Sequence, residues 1–191
     1  MYVFKNKYYL IIQSIKDINL SNIKKYNKII IIYRNLNLKE NIYEIYKFRK
    51  KCKLKKIKFF IANNISLAVK LKADGIYLSA YNNSFKCLNL KRINFNIIGS
   101  AHNLKEIKIK IKQGCSDILI SKLFNVDYKK EGKIFGEVQF NMLTQKHLSS
   151  LIPLGGINIT NLNKLRSVNC KAFAILSAVK KKPANIINRL F

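Results

Sequence analysis

Tryptophan is absent from the 191-residue sequence, and residues that interrupt regular structure are scarce, with only two prolines and seven glycines. This scarcity excludes collagen-like, linker-rich and low-complexity proteins. A hydrophobic content of 49% excludes a disordered chain. No apolar run approaches the ~20 residues of a membrane span, and the N-terminus lacks the apolar core of a secretory signal. We therefore expect a single cytoplasmic domain over residues 1–191 with no membrane partner.

Cysteine is also scarce, and the few cysteines are widely separated. They are Cys52, Cys87, Cys115 and Cys170, without a C-x-x-C pair or a histidine at ligand spacing. Zinc sites and disulfide frameworks need cysteines that are closely spaced or numerous. The pattern therefore predicts buried or half-buried thiols in a reducing compartment.

Acidic residues are few, with 9 Asp+Glu against 37 Lys+Arg, which gives a formal charge of +28. Such an excess suits a polyanionic partner, which is a nucleic acid, an anionic membrane or a phosphorylated substrate. The lysines are scattered along the chain, however, and the abundance of Lys, Asn, Ile and Tyr is typical of AT-rich codon usage. Nucleic acid is therefore an alternative partner that the pattern does not favour.

Short apolar segments recur along the chain, and several are apolar throughout, which indicates strands buried on both faces. We predict eight strands, at residues 8–14, 28–35, 58–64, 75–81, 96–102, 116–124, 149–156 and 170–179. Eight strands alternating with helices predict a compact (β/α)8 TIM barrel of the α/β class. The alternative is an open Rossmann or flavodoxin-like sheet, which has fewer strands, and no G-x-G-x-x-G follows the first segment.

Helix-like segments lie between the predicted strands. Apolar spacing predicts helices at residues 41–56 and 161–168, and Asn64 and Asn103 can each cap the start of another.

The segment at residues 107–112 alternates Ile with Lys, as a half-exposed strand does. It also places Leu104, Ile107 and Ile111 on one helical face, and Gly114 suits the end of a helix. Because strands are predicted on both sides, we predict a helix there, with these three residues as its apolar face.

Polar residues collect where the apolar strand segments end, which is where a barrel carries its ligands. Arg34 follows the second segment, and a guanidinium there suits a phosphate or carboxylate; the alternative is a structural ion pair. Gly155 and Gly156 follow the seventh and would let backbone N–H groups approach an anion. A helix starting near Thr160 and the hydroxyl of Ser177 would add to that site.

Four segments together resemble the thiamine phosphate synthase / TenI superfamily over nearly the whole chain. They are Phe60-Ile61-Ala62-Asn63-Asn64 running on to Asp74-Gly75-Ile76-Tyr77-Leu78, then Ile98-Gly99-Ser100-Ala101-His102-Asn103, then Pro153-Leu154-Gly155-Gly156-Ile157-Asn158, then Ala172-Phe173-Ala174-Ile175-Leu176-Ser177-Ala178. The resemblance implies a TIM barrel. It also implies a synthase that joins a pyrimidine pyrophosphate to a thiazole phosphate with Mg²⁺, or the related thiazole tautomerase.

The resemblance assigns roles to individual residues. It implies catalytic roles for Arg34 and Lys129, which would stabilise the departing pyrophosphate. Lys122 stands where the tautomerase branch has a histidine, so Lys122 or His102 would move the proton in that reaction. The substrate- and phosphate-binding candidates are Asn63, Ser100, Gly155, Gly156, Ser177 and Ala178.

The sequence departs from the family pattern at several positions, and two of them concern the metal. Asn64 and Asn82 stand where the family has the aspartates that hold Mg²⁺, and neutral amides do not offset a cation's charge as carboxylates do. We expect the phosphate-binding half of the site to be kept and the metal half to be lost. A synthase, a tautomerase and a non-catalytic binder of a phosphorylated ligand or RNA remain open, and the sequence does not fix the oligomeric state.

Overall fold

Eight parallel strands close into one barrel in chain order, with the last strand hydrogen-bonded to the first. The computed structural model describes residues 7–23, 26–35, 40–93, 95–125, 134–146 and 150–176. The strands are β1 (Lys7–Ile12), β2 (Ile29–Tyr33), β3 (Lys58–Ala62), β4 (Gly75–Leu78), β5 (Asn96–Ala101), β6 (Asp117–Ser121), β7 (Ser150–Leu154) and β8 (Ala172–Ile175). The predicted TIM barrel is confirmed.

The strand residues alternate between two separate cores, as the period of a β-strand requires. In β1, Tyr9 and Ile11 point into the barrel, where strand side chains alone meet, whereas Tyr8 and Leu10 point outward beneath the helices. Both sets are buried, which explains why the segments are apolar throughout.

The described residues include four α-helices, which cover the barrel: α1 (Ile42–Leu54), α2 (Ile65–Lys70), α3 (Leu104–Lys112) and α4 (Gly136–Lys146). The predicted caps of α2 and α3 are confirmed, because the Asn64 side chain accepts from Leu67 N at 2.9 Å and the Asn103 side chain accepts from Glu106 N at 2.9 Å. Short 3₁₀ helices lie at Ile15–Asp17, Leu20–Asn22, Tyr26–Lys28, Lys86–Ile93 and Leu162–Arg166. The α-helix predicted for residues 161–168 is thus a five-residue 3₁₀ helix.

The apolar face predicted for α3 is wrong. Ile107 is fully buried, but Leu104 and Ile111 are 51% and 39% exposed, while Lys110 is 0% exposed. Gly99 in β5 explains the difference, because a Cβ there would lie 2.9 Å from the Lys110 side chain. The missing side chain leaves a channel across the strand for the aliphatic stem of the lysine.

The N-terminal end of the barrel is closed by paired polar groups. The Arg49 guanidinium donates to Lys72 O and to the Asp74 carboxylate at 3.1 Å, and Asp74 also accepts from Phe59 N at 2.7 Å. Inside the barrel, the Tyr9 hydroxyl donates to Asp117 at 2.9 Å. These contacts fix the starts of β3, β4 and β6.

All four cysteines lie in the described part of the chain and outside any disulfide. Cys52, Cys87 and Cys115 are buried and Cys170 is half-buried, as predicted. Burial raises the pKa of the Cys52 thiol to about 12.

None of the helices within the described ranges is long and apolar enough to cross a membrane.

Candidate functional site

A cavity of about 430 Å³ opens at the C-terminal end of β2, β3 and β4. Its polar lining comes from the residues directly after those strands and from the first turn of the 3₁₀ helix at Lys86–Ile93: Arg34, Asn35, Asn63, Asn64, Asn82, Ser84 and Lys86. Parallel strands present their carboxyl ends at one edge, which is why segments so distant in sequence meet here. Arg34, Asn63, Asn64 and Asn82 were all predicted for one site, and the structure brings them together.

Arg34 carries the uncompensated charge of this cavity. Its backbone N–H donates to Ile12 O at 2.8 Å, which fixes the residue at the end of β2. The side-chain Nε is buried and makes no hydrogen bond, and no carboxylate among the described residues pairs with the guanidinium. The alternative of a structural ion pair therefore finds no support in the described part of the chain. A buried guanidinium N–H without an acceptor is costly, and an anionic ligand would satisfy it.

Asn63 organises the cavity wall. It adopts a left-handed conformation with φ of +57°, which ends β3 and turns its side chain towards the β4 end. Its Oδ1 accepts from Ser79 N at 2.9 Å and from Asn82 Nδ2 at 3.1 Å, and its Nδ2 donates to Ser79 Oγ. Asn63 thus joins the ends of β3 and β4.

The residues at the family's metal positions do not fit Mg²⁺. The amide oxygen of Asn64 is used to cap α2, and that of Asn82 accepts from Ser84 N at 3.0 Å. The described residues lining the cavity include two cations and no carboxylate, and nowhere do three or more His, Cys, Asp or Glu of the described ranges form a metal cluster. Mg²⁺ prefers carboxylate oxygens, and the described part of this wall offers it only neutral amide and hydroxyl oxygens, of which those of Asn64 and Asn82 are already hydrogen-bonded.

The loop after β4 is held from beneath by two buried polar side chains of the α3 region. Lys110 Nζ donates to Asn82 O at 2.6 Å and to Gln113 Oε1 at 3.0 Å, while Gln113 Nε2 donates to Asn82 O and Ser84 O at 2.8 and 2.9 Å. Burial lowers the pKa of Lys110 below its ordinary value. The cluster fixes the backbone that carries Asn82.

Ser100, predicted as a substrate-binding residue, lies buried at the end of the barrel interior. Its Oγ accepts from the Tyr77 hydroxyl at 2.8 Å. Burial raises the pKa of Tyr77 above its ordinary value, and the Ser100 hydrogen bond and the charge of Arg34 oppose that shift. Tyr77 is therefore a neutral donor at physiological pH.

Gly155 and Gly156 follow β7 with φ of +94° and +72°. A Cβ on Gly156 would lie 2.4 and 2.5 Å from the carbonyl oxygens of Asn125 and Phe124, and one on Gly155 would lie 3.2 Å from Lys122 Cα. Glycine is thus required at Gly156 because the chain after β6 packs against it, whether or not a phosphate binds there. The pair brings Lys122 to the same part of the rim.

The helix predicted to begin near Thr160 adds less to an anion site than expected. It is the five-residue 3₁₀ helix at Leu162–Arg166, and the nearby N–H groups of Thr160 and Asn161 already donate to Asn158 Oδ1. A short helix with occupied N–H groups offers little positive potential.

His102 lies apart from the Arg34 cavity. Its ring contacts Glu106 at 3.1 Å, and it lines a second cavity, of about 530 Å³, with apolar side chains such as Phe135 and Met142. The structure therefore does not join this proton-moving candidate to the Arg34 cavity, whereas the other candidate, Lys122, lies beside Gly155.

Lys129, Ser177 and Ala178 lie outside the described residues, as does Lys130.

Sequence reasoning missed two residues near the site. Lys86 lines the Arg34 cavity, but nothing in the sequence distinguishes it from the other basic residues. Tyr77 was noted only as part of an apolar strand, although a phenol in such a strand needs a buried partner, and that requirement is a usable signal.

The geometry can be compared with known proteins. The family model described as thiamine monophosphate synthase matches residues 16–179. The chain belongs to this family. The predicted resemblance is confirmed, and the match covers all the described segments that line the Arg34 cavity.

Relatives of the thiamine monophosphate synthase family agree with this assignment. The chain is 28% identical over 148 residues to a thiamine-phosphate synthase of Prochlorococcus marinus, covering 77% of this chain and 42% of that protein. It is 24% identical to the thiamine-phosphate synthase of Clostridioides difficile, covering 78% and 71%. The chain thus spans about two fifths of the Prochlorococcus relative. A solved thiamine phosphate pyrophosphorylase from Pyrococcus furiosus has the same fold, with a TM-score of 0.73, 17% identity and coverage of 97% and 93%.

Proposed function

We propose that this chain acts in thiamine biosynthesis as a thiamine phosphate synthase. It would bind a phosphorylated thiazole and a pyrimidine pyrophosphate at the C-terminal rim of the barrel. The proposal rests on family membership together with the Arg34 cavity, where a buried guanidinium N–H has no acceptor among the described residues.

The chemistry requires stabilisation of a leaving group. The bond between the pyrimidine-bearing carbon and the pyrophosphate oxygen breaks, and its electron pair leaves with pyrophosphate. The thiazole supplies the electron pair for the new bond to that carbon. Arg34 would take up the charge that develops on the leaving oxygens, since an ionised donor in a partly enclosed site stabilises such charge strongly. Lys129 would assist from the loop after β6.

The phosphate of the thiazole would bind on the opposite side of the rim. The candidates there among the described residues are Gly155 and Gly156. Ser177 and Ala178, which follow β8 in the sequence, remain candidates for the same phosphate, and Asn63 and Ser100 remain candidates for substrate contact. The glycine pair supports this assignment only through backbone exposure, because the steric need for Gly156 comes from the chain packed against it.

A coupled assay with both precursors tests the proposal. We expect thiamine phosphate to form with the unmodified chain, and Arg34→Met to lower kcat/KM at least 100-fold. Lys108→Gln is the matched control, because Lys108 is exposed on α3 and lies outside the Arg34 cavity.

A non-catalytic binder is the second candidate, and the missing carboxylates favour it. Saturable binding of thiazole phosphate with no turnover would support the binder and contradict the synthase. Absence of both binding and turnover would contradict the assignment to thiamine biosynthesis.

A further inference from the structure

We propose that the Arg34 cavity binds a diphosphate without a metal ion, with Lys86 supplying the positive charge that a divalent cation would otherwise bring. This inference rests on the proposed function. It assigns a ligand-binding role to Lys86, which lies outside the four segments that carry the family resemblance. The expected ligand class is a diphosphate monoester or inorganic diphosphate.

The charge of the cavity excludes a cation and attracts an anion. Among the described residues that line the cavity, Arg34 and Lys86 are the two charged ones, and both are positive. A divalent metal ion would be repelled by these two positive charges, because the site is partly enclosed. A diphosphate carries several negative charges, which two cations and the surrounding amides can partly neutralise.

The hydrogen-bonding capacity of the wall points the same way. The side-chain oxygens of Asn63, Asn64 and Asn82 all accept hydrogen bonds from the protein, and they are neutral, so they are weaker ligands for a cation than free carboxylates. The buried Nε of Arg34 remains a donor without an acceptor. The described part of the wall therefore offers a metal no carboxylate and offers phosphate oxygens a donor.

Lys86 is carried by a firmly held turn. Its neighbour Cys87 is buried, and the Cys87 thiol contacts Ser84 O and Gln113 O at 3.7 Å. Gln113 also donates to Ser84 O at 2.9 Å. Although the Lys86 side chain is exposed, its backbone is thus fixed at the cavity edge, so its ammonium can reach a bound anion at low entropic cost.

The cavity has room for this ligand. Its volume of about 430 Å³ lies within the ~300–1,000 Å³ range of small-molecule sites.

Calorimetry with inorganic diphosphate, in EDTA and then in excess Mg²⁺, tests the inference. We expect saturable binding in EDTA and equal or weaker binding in Mg²⁺, because the Mg²⁺–diphosphate complex carries less negative charge. Binding that appears only with Mg²⁺, or that tightens tenfold with it, would overturn the proposal, as would no binding in either buffer.

Variants separate the role of Lys86 from the general charge of +28. Lys86→Gln should weaken diphosphate binding in EDTA at least tenfold, and Lys86→Arg should keep it within threefold. Lys108→Gln removes the same charge outside the cavity and should change the affinity less than twofold. Equal losses in Lys86→Gln and Lys108→Gln would contradict a specific site.

The double variant Asn64→Asp, Asn82→Asp tests the opposite change, in which two neutral amides of the cavity wall become carboxylates. Two carboxylates in the wall should weaken binding in EDTA at least tenfold, and added Mg²⁺ should restore it. Unchanged affinity in EDTA would contradict the role assigned to the neutral amides.

Failure of the inference is distinguishable from failure of the proposed function. If the chain converts both precursors but does not bind diphosphate in EDTA, the inference is wrong and the proposed synthase function stands. If the chain binds diphosphate in EDTA but neither binds thiazole phosphate nor turns over, the inference stands and the proposed synthase function is wrong.

Discussion

Two shielded arginines lie at opposite ends of the barrel and have different surroundings. At the N-terminal end, Arg49 is 7% exposed and bonds to Lys72 O and to the Asp74 carboxylate, although its Nη1 is also buried without a hydrogen-bond partner. At the C-terminal end, Arg34 has a buried Nε without an acceptor and no carboxylate partner among the described residues. The N-terminal end therefore compensates its charge within the protein, while the C-terminal end leaves it for a ligand.

This difference separates stability from function within one fold. A charge paired inside the protein contributes to folding once its partner is in place. A charge left without an acceptor costs stability and is expected where a ligand supplies the acceptor. Four predictions follow this contrast.

Arg49→Met should have the largest effect on stability, lowering the free energy of unfolding by about 3 kcal/mol. Breaking a buried pair leaves Asp74 uncompensated, and the partial exposure of that carboxylate, 32%, keeps the loss at the lower end of the usual range. Urea unfolding followed by circular dichroism measures it. A loss below about 1 kcal/mol would mean that the pair is not structural.

Gly156→Ala should lower the free energy of unfolding, as Arg49→Met does, although Gly156 lies at the C-terminal end of the barrel. Its Cβ meets two backbone oxygens and its φ is +72°, so we expect a loss of about 2 kcal/mol without any ligand. Gly155→Ala is the matched control and should lose less, since its nearest contact is 3.2 Å away. Equal losses from both, measured by urea unfolding, would contradict the packing argument.

Arg34→Met should change the unfolding free energy of the ligand-free protein by less than about 1 kcal/mol, in either direction. Removing the guanidinium loses packing but also removes a buried N–H without an acceptor. A loss similar to that of Arg49→Met in the same urea experiment would show that Arg34 has a structural partner.

Of the four positions, Lys110 should have the smallest effect on stability, and its effect should depend most on pH. Its pKa is lowered in the folded state, so the unfolded chain binds more protons between the folded and unfolded pKa values. Stability therefore increases as pH rises through that window towards 10.5. The stability of the parent relative to Lys110→Met should increase between pH 7 and pH 10 in urea unfolding. A relative stability that falls over this range would contradict the sign.

The sequence was sufficient for the barrel because buried parallel strands are apolar throughout. Seven of the eight segments contain their strands, and the first misses only Lys7 of β1. The strand ends were placed too late. Asn63 shows why the strand ends were placed too late. It ends β3 by adopting a left-handed backbone conformation, which its position in the sequence does not reveal.

The site was predictable only in part. Arg34, Asn63, Asn64 and Asn82 could be grouped because strand order brings their positions together. Whether Arg34 has a partner depends on side-chain distances, which no sequence pattern contains.

The burial of Lys110 was not predicted, for a related reason. A lysine in an alternating segment predicts exposure, and the channel that Gly99 opens for it exists only after β5 and α3 have packed.

The thermal unfolding of the parent and Arg34→Met with inorganic diphosphate in EDTA tests the central claim most directly. At about 100 times the parent's Kd, binding should stabilise the parent by about 2.7 kcal/mol, which is a rise of roughly 5–10 °C in Tm for a domain of this size. Arg34→Met at the same concentration should show a rise of less than about 2 °C. Equal rises in both proteins would contradict the claim that the Arg34 guanidinium is held without a partner for an anionic ligand.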